Sequence, residues 1–184
     1  MNTAMAEDFA LVEPATRYRR GFLAMLNDYA RAGEERYGNL RNLTPLRFAA
    51  YVQKLREASQ GIGLQPGWVP YTTFWLVSPM VPLILGSVQL RHWLTEALEK
   101  EGGHIGYTIT PSQRRKGLGT LQLALALDEV RRRRESLELD RVLITCNTEN
   151  IGSAKIIQKN GGIFESEVIS DFSGKPVSRY WIDL

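Results

Sequence analysis

Apolar residues recur at helical spacing in several stretches of the chain. In the first of these, Phe22, Leu23, Met25, Leu26 and Tyr29 have a spacing that favours an amphipathic helix. Thr44 is a suitable N-cap, and the proline that follows it suits the first helical position. The predicted helices span 14–31, 45–58, a short segment within 92–103, 117–134 and 150–160.

Other stretches are rich in β-branched and aromatic residues, as strands are. The first two predicted strands form a hairpin around Met80, Val81 and Pro82. The predicted strands span 72–78, 83–91, 104–110, 141–147, 163–170 and 178–184. This order of elements predicts an α/β fold of the α+β kind, with a central, twisted mixed sheet and helices on both faces.

Composition narrows the class of protein. The 184 residues, 43% of them hydrophobic, predict one domain over 1–184. A formal charge of +3 is too small to indicate a nucleic-acid partner, and no apolar stretch approaches the roughly 20 residues that cross a bilayer. Acidic residues near the N-terminus speak against a secretory signal. Cys146 is the sole cysteine and can form no intrachain disulfide, so the expected location is the cytoplasm.

The segment RRKGLGT, residues 114–120, lies between a predicted strand and a predicted helix. Backbone N–H groups at a helix start bind phosphate oxygens, and glycines let those oxygens approach the backbone. The expected ligand is therefore an anionic cofactor. The dinucleotide-binding pattern G-x-G-x-x-G and the P-loop pattern are both missing, which argues against nicotinamide and ATP. The predicted pyrophosphate-binding residues are Arg114, Arg115, Lys116, Gly117, Leu118, Gly119 and Thr120.

Two segments in order carry a resemblance to a known family. Arg114, Gly117 and Gly119 match the pattern [RQ]-x-x-G-x-[GA], and about thirty residues later comes VLITCNTENIGSAKIIQKNGG. Together they resemble the two signatures of the GNAT superfamily of N-acetyltransferases. The sequence of these segments is also similar to that of a bacterial group of predicted acetyltransferases without an assigned substrate. The resemblance covers 72–184 and is strongest over 104–162.

The resemblance implies a role for each part of the chain and a set of binding residues. Residues 1–71 would supply helices and an acceptor-side loop, 72–162 an acetyl-CoA-binding core and 163–184 a terminal strand pair. Backbone groups at Tyr107 and Ile109 would pair with the pantetheine arm. Asn150 and Ser153 would lie beside it. No metal is implied.

The implied activity is an acetyl-CoA-dependent N-acetyltransferase, of the acyltransferase class EC 2.3.1. An amine of a small molecule or peptide would attack the thioester directly in a ternary complex, which needs a base and a group that assists the leaving thiolate. His104 is a candidate base, although a strand histidine bonded to backbone is the favoured interpretation. Tyr107 is a candidate acid, because Ile157 stands where many relatives place a tyrosine.

Several alternatives stay open. A non-catalytic acyl-CoA-binding module would fit the missing tyrosine. The run 131–134 of four arginines could indicate nucleic-acid binding, but a solvated helix end is favoured. No nucleic-acid or membrane partner is expected, and a homodimer is possible by resemblance. The aromatic residues that could line an acceptor pocket, although core positions are more typical, are Trp68, Tyr71, Trp75 and Trp93.

Overall fold

Two antiparallel sheets run through the computed structural model, which describes residues 8–40, 43–171 and 173–184. The first sheet has the order β1-β2-β3-β4 and the second the order β5-β7-β6. The strands are β1 (Ala10–Val12), β2 (Tyr71–Ser78), β3 (Val81–Arg91), β4 (Ile105–Ile109), β5 (Arg141–Asn147), β6 (Ile163–Ile169) and β7 (Pro176–Asp183).

Six α-helices accompany the sheets in the described ranges. They are α1 (Arg19–Arg31), α2 (Pro45–Ser59), α3 (Glu96–Lys100), α4 (Leu118–Arg132), α5 (Arg134–Leu137) and α6 (Ile151–Lys159). Thr44 caps α2, because its hydroxyl accepts a hydrogen bond from the Arg47 N–H at 3.3 Å. Asn150 caps α6 in the same way through Ser153 N–H at 3.1 Å. None of these helices combines the length and apolarity of a membrane span.

The predicted α/β class with helices packed on sheets is confirmed, while several details differ. The hydrogen-bonded ladders are all antiparallel in the described residues, and the crossover through α4 brings β5 beside β4. Strand β1 was not predicted, because three residues carry little periodicity. Helix α1 begins at Arg19, after a 3-10 turn. The hairpin turn lies before Val81, so Val81 and Pro82 belong to β3.

Helices cover both faces of the first sheet. Phe74 and Trp75 are neighbours on β2 and point to opposite faces, as successive strand residues do. Trp75 is buried with Phe22 of α1 and Phe48 of α2, whereas Phe74 is buried with Leu123 of α4. The sheet is therefore enclosed, and α4 is held against it with its N-terminus at the end of β4.

The two sheets touch at one end of the β4–β5 pair and then separate. The His104 N–H donates to the Leu143 carbonyl at 2.7 Å. Just before it, Gly103 adopts a φ of 60°, and a Cβ there would clash with the same carbonyl. Beyond this contact no ladder joins β4 to β5 in the described residues. The gap between the strands opens into a cleft.

Candidate functional site

The N-terminus of α4 forms one end of this cleft. Gly117 precedes the helix with a φ of 80°, a left-handed conformation that suits glycine. The N–H groups of Gly117, Leu118 and Gly119 have no acceptor in the described part of the chain. Because these donors lie at the positive end of a fifteen-residue helix, they form a site for an anion.

The loop side chains divide between the cleft and other partners. Arg115 and Thr120 line a cavity of about 650 Å³ together with Gly117 and Gly119. The Nζ of Lys116 instead donates to the side chain of Gln113 at 3.1 Å and is not part of the cavity wall. Arg115 is thus the basic side chain of the loop that lines the cavity beside the free N–H groups and has no carboxylate partner in the described residues.

Arg114 lines the same cavity but is held by the protein. Its guanidinium donates to both carboxylate oxygens of Glu34 at 2.6 and 2.8 Å, and its Nε donates to the Ile109 carbonyl at 3.1 Å. This bidentate contact lowers the pKa of Glu34 from its usual value. Arg114 therefore links the segment after α1 to the loop.

One edge of β4 faces the cleft. The Arg91 N–H donates to the His104 carbonyl and the Thr110 N–H donates to the Leu85 carbonyl, so the residues that flank β4 bond to the β3 side through these groups. Peptide groups alternate in direction along a strand, which turns those of Tyr107 and Ile109 toward β5. An extended ligand can add to this edge, although the Ile109 carbonyl already accepts from Arg114.

The Tyr107 side chain also lines the cleft, where it contacts Ser153 of α6. Its hydroxyl lies 2.8 Å from the Ser153 hydroxyl, and burial raises the pKa of this phenol to about 12. Asn150 lies beside the pair and keeps its role as the cap of α6. Of the sequence-predicted binding residues, Lys116 and Leu118 do not line this cavity, and Leu118 is buried in a hydrophobic cluster. Those that line it are Tyr107, Ile109, Arg114, Arg115, Gly117, Gly119, Thr120, Asn150 and Ser153.

A family comparison agrees with this geometry. The sequence pattern of the family described as "Acetyltransferase (GNAT) domain" matches residues 22–163, well over half of the chain. The chain belongs to the GNAT acetyltransferase family. None of the curated protein sequences gives a match.

Solved structures of other GNAT proteins share the fold at low identity. A ribosomal-protein-S5-alanine acetyltransferase from Vibrio fischeri is 15% identical with a TM-score of 0.68, covering 96% of this chain and 93% of its own. A microcin C7 self-immunity acetyltransferase, in complex with acetyl-CoA and AMP, is 14% identical with a TM-score of 0.66 and coverages of 97% and 93%. Mycobacterium smegmatis RimJ, in complex with CoA-disulfide, is 17% identical with a TM-score of 0.67 and coverages of 95% and 81%.

A second cavity of about 460 Å³ continues the cleft of this GNAT fold. Tyr107, Thr108, Asn150, Ser153 and Arg36 line both cavities, so the two meet at the Tyr107–Ser153 pair. The wall of the second cavity also includes Arg91, Glu101, Gln89, Tyr37 and Thr145. Glu101 is the one carboxylate among the described residues of this wall, and the Ser170 hydroxyl contacts it.

His104 does not face either cavity. It is 5% exposed, and its Nδ1 accepts a hydrogen bond from the Leu143 N–H at 2.9 Å. Burial, with a contribution from Arg91, lowers its pKa to about 4. The neutral ring therefore holds its proton on Nε2 and has no free lone pair. This geometry supports the backbone-bonded interpretation of His104 and does not support its candidacy as the base.

We expect acid to destabilise the protein through His104. The unfolded histidine binds a proton near pH 6.5 and the folded one near 4, so the stability it contributes is complete above 6.5 and is lost as pH falls toward 4. The loss amounts to about 3 kcal/mol. Urea unfolding at a series of pH values should show it.

The matched variant is His104→Asn, whose side-chain oxygen can replace Nδ1 as acceptor. It should lose less stability than the wild type over the same pH range. His92, whose pKa burial also lowers, titrates in both proteins and cancels in the comparison. An equal loss in both proteins would contradict the assignment.

The arginine run at the end of α4 is paired with carboxylates. Arg131 contacts Asp128, Arg132 contacts Glu129, and Arg133 contacts Glu129 and Glu13. Arg134 contacts Asp140 at 2.6 Å. These ion pairs agree with the solvated-helix interpretation of the run.

Two charged residues of the second cavity could not be predicted from the motifs, and some aromatic candidates lie elsewhere. Arg91 and Glu101 were not predicted, because they lie outside both motifs and come together through the β3–β4 pairing. Trp75 is a core residue, while Trp68 and Trp93 are more than half exposed and line neither cavity.

Burial raises the pKa of the Cys146 thiol. No group of three or more potential metal-binding side chains occurs in the described ranges.

Proposed function

We propose that this GNAT protein transfers an acetyl group from acetyl-CoA to an amine by direct attack in a ternary complex. The observation that carries the proposal is the continuity of the two cavities at Tyr107 and Ser153. A donor on the α4 side and an acceptor on the Glu101 side would meet there, so no covalent enzyme intermediate is needed.

The hydrogen-bond donors that line the larger cavity fit the phosphate groups of an acyl-CoA. The free N–H groups of residues 117–119, Arg115 and the Thr120 hydroxyl would hold the pyrophosphate. The peptide groups of Tyr107 would pair with the pantetheine amides, and Asn150 and Ser153 would lie against the same arm. Arg114 would act mainly through its bond to Glu34, which fixes the loop.

Acetyl-CoA supplies a thioester carbonyl that a neutral amine can attack. The acceptor arrives as an ammonium and must lose a proton first, and Glu101 is the carboxylate positioned to take it. Its contact with Ser170 orients the side chain. We assign the base to Glu101 and not to His104.

Tyr107 would assist the departing sulfur by hydrogen bonding. With a pKa of about 12 the phenol is protonated at neutral pH. A thiol has a pKa near roughly 8.5, so transfer of the phenol proton to the thiolate would be uphill. The phenol therefore stabilises the leaving thiolate as a hydrogen-bond donor. The proton that the amine nitrogen loses as the amide forms passes through solvent to the thiolate and gives the thiol of CoA.

A binding and turnover experiment tests the function. Calorimetry should show acetyl-CoA binding, and incubation with acetyl-CoA and a panel of amines and peptides should release CoA. Failure to bind acetyl-CoA would refute the proposal. Binding without turnover on any acceptor would favour the alternative of a non-catalytic acyl-CoA-binding module. That alternative draws on Ile157, a fully buried apolar residue at the position where many relatives place a tyrosine.

A further inference from the structure

Arg91 brings an unusual charge into the acceptor-side cavity. Its Nη1 donates to the carbonyls of Gly102 and Gly103 at 3.0 and 2.9 Å. A guanidinium has five N–H groups, so these contacts leave those on Nε and Nη2 for another partner. Burial lowers the pKa of the Arg91 guanidinium, but the group remains charged at neutral pH.

Within the described ranges, no carboxylate forms an ion pair with this cation. No carboxylate oxygen of the described residues lies within 4.0 Å of Arg91, although Glu101 is adjacent in sequence to its Gly102 partner. A second guanidinium, Arg36, lines the same cavity. The wall thus carries two cations and one carboxylate, an excess of positive charge.

Glycine keeps the guanidinium accessible. A Cβ added at Gly106 would lie 3.7 and 3.8 Å from Nη1 and Nη2 of Arg91, and Gly106 itself lines the cavity. With a glycine at this position, residue 106 places no side chain over the guanidinium. A planar oxyanion can approach it from the cavity and form charge-assisted hydrogen bonds.

We propose that the acceptor is a small amine that carries an oxyanion, a carboxylate or a phosphate, on the same molecule. The oxyanion binds Arg91, and the amine lies toward Glu101. This inference rests on the proposed function and adds the substrate class. A partly buried, unneutralised cation is costly, and an anionic substrate offsets that cost.

The same charges disfavour two other acceptor classes. A polyamine would bring further positive charge to two arginines, which raises the energy of binding. A peptide N-terminus carries its amine on an uncharged amide chain and leaves Arg91 without an anion. A cavity of about 460 Å³ also suits a small molecule.

Matched pairs of amines test the assignment. The probes are an α-amino acid and its amide, an ω-amino acid and the corresponding alkylamine, and phosphoethanolamine and ethanolamine, with a diamine and a short peptide added. The wild type should show a kcat/KM for the anionic member at least roughly tenfold higher than for its neutral partner. The carboxylate and phosphate pairs show which oxyanion is preferred.

Variants of Arg91 separate recognition from folding. Arg91→Gln should remove the preference mainly through KM, Arg91→Lys should restore part of it, and acetyl-CoA affinity should be unchanged in both. Arg47→Gln removes an exposed arginine of α2 that lines neither cavity and should behave as the wild type. A structural role alone would lower the rate with both members of a pair equally.

Some results would overturn the inference. They are equal use of neutral and anionic amines, a preference for the diamine or the peptide, or a preference that survives in Arg91→Gln. If no acceptor is acetylated, the proposed function fails separately. Calorimetric titration of the same pairs, with and without CoA, then still measures whether anionic amines bind better than neutral ones.

Discussion

Replacing Arg115 by glutamate is expected to weaken acetyl-CoA binding about a hundredfold. Arg115 is the basic loop side chain that lines the larger cavity without a carboxylate partner in the described residues. The change removes charge-assisted hydrogen bonds to the pyrophosphate and puts a negative charge against it. Calorimetry with acetyl-CoA measures the effect.

Lys116→Glu is the matched control, since it makes the same change of net charge one residue away. Lys116 contacts Gln113 and lies outside the cavity wall. Repulsion between a glutamate there and the pyrophosphate is screened by salt, so the affinity for acetyl-CoA should fall only a few-fold. Equal losses in the two variants would mean that overall charge, and not a contact from Arg115, governs binding. An unchanged affinity in Arg115→Glu would remove the loop from the cofactor site.

The cavity at the start of α4 was predictable because most of its residues are close in sequence. A strand, a glycine-containing basic loop and a helix start are contiguous over 104–120, and local backbone physics makes such a loop an anion site. The cap at Asn150 follows from the same kind of local rule. Roles for these residues in binding stay predictions until they are measured, as does the division of the chain into parts.

The charged residues of the second cavity could not be predicted because side-chain contacts between elements, and not a local motif, bring them together. The Arg91 side chain, at the end of β3, is held at the cavity by its bonds to the carbonyls of Gly102 and Gly103, just before β4. The motif predicts Arg114 as a phosphate ligand, but it does not predict the pairing of Arg114 with Glu34, 80 residues away. His104 matched a base by residue type, but its Nδ1 is used by Leu143.

Replacing Glu101 by glutamine is expected to lower kcat roughly a hundredfold or more, which is the usual contribution of a general base. Glutamine keeps the size of the side chain and can still contact Ser170, but it cannot accept the proton of the ammonium. The affinity for acetyl-CoA should stay within about twofold of the wild-type value. Glu101 lines the second cavity and does not line the cavity at the start of α4. Steady-state CoA release with the best acceptor measures kcat.

Glu99→Gln provides the control for this last change. Glu99 lies two residues earlier, on α3, and lines neither cavity, so its replacement should leave kcat unchanged. Raising the pH increases the fraction of acceptor that is already neutral, and the defect of Glu101→Gln should therefore shrink at high pH if Glu101 is the base. A defect that is independent of pH would instead assign Glu101 to positioning the amine, and an unchanged kcat would show that water removes the proton.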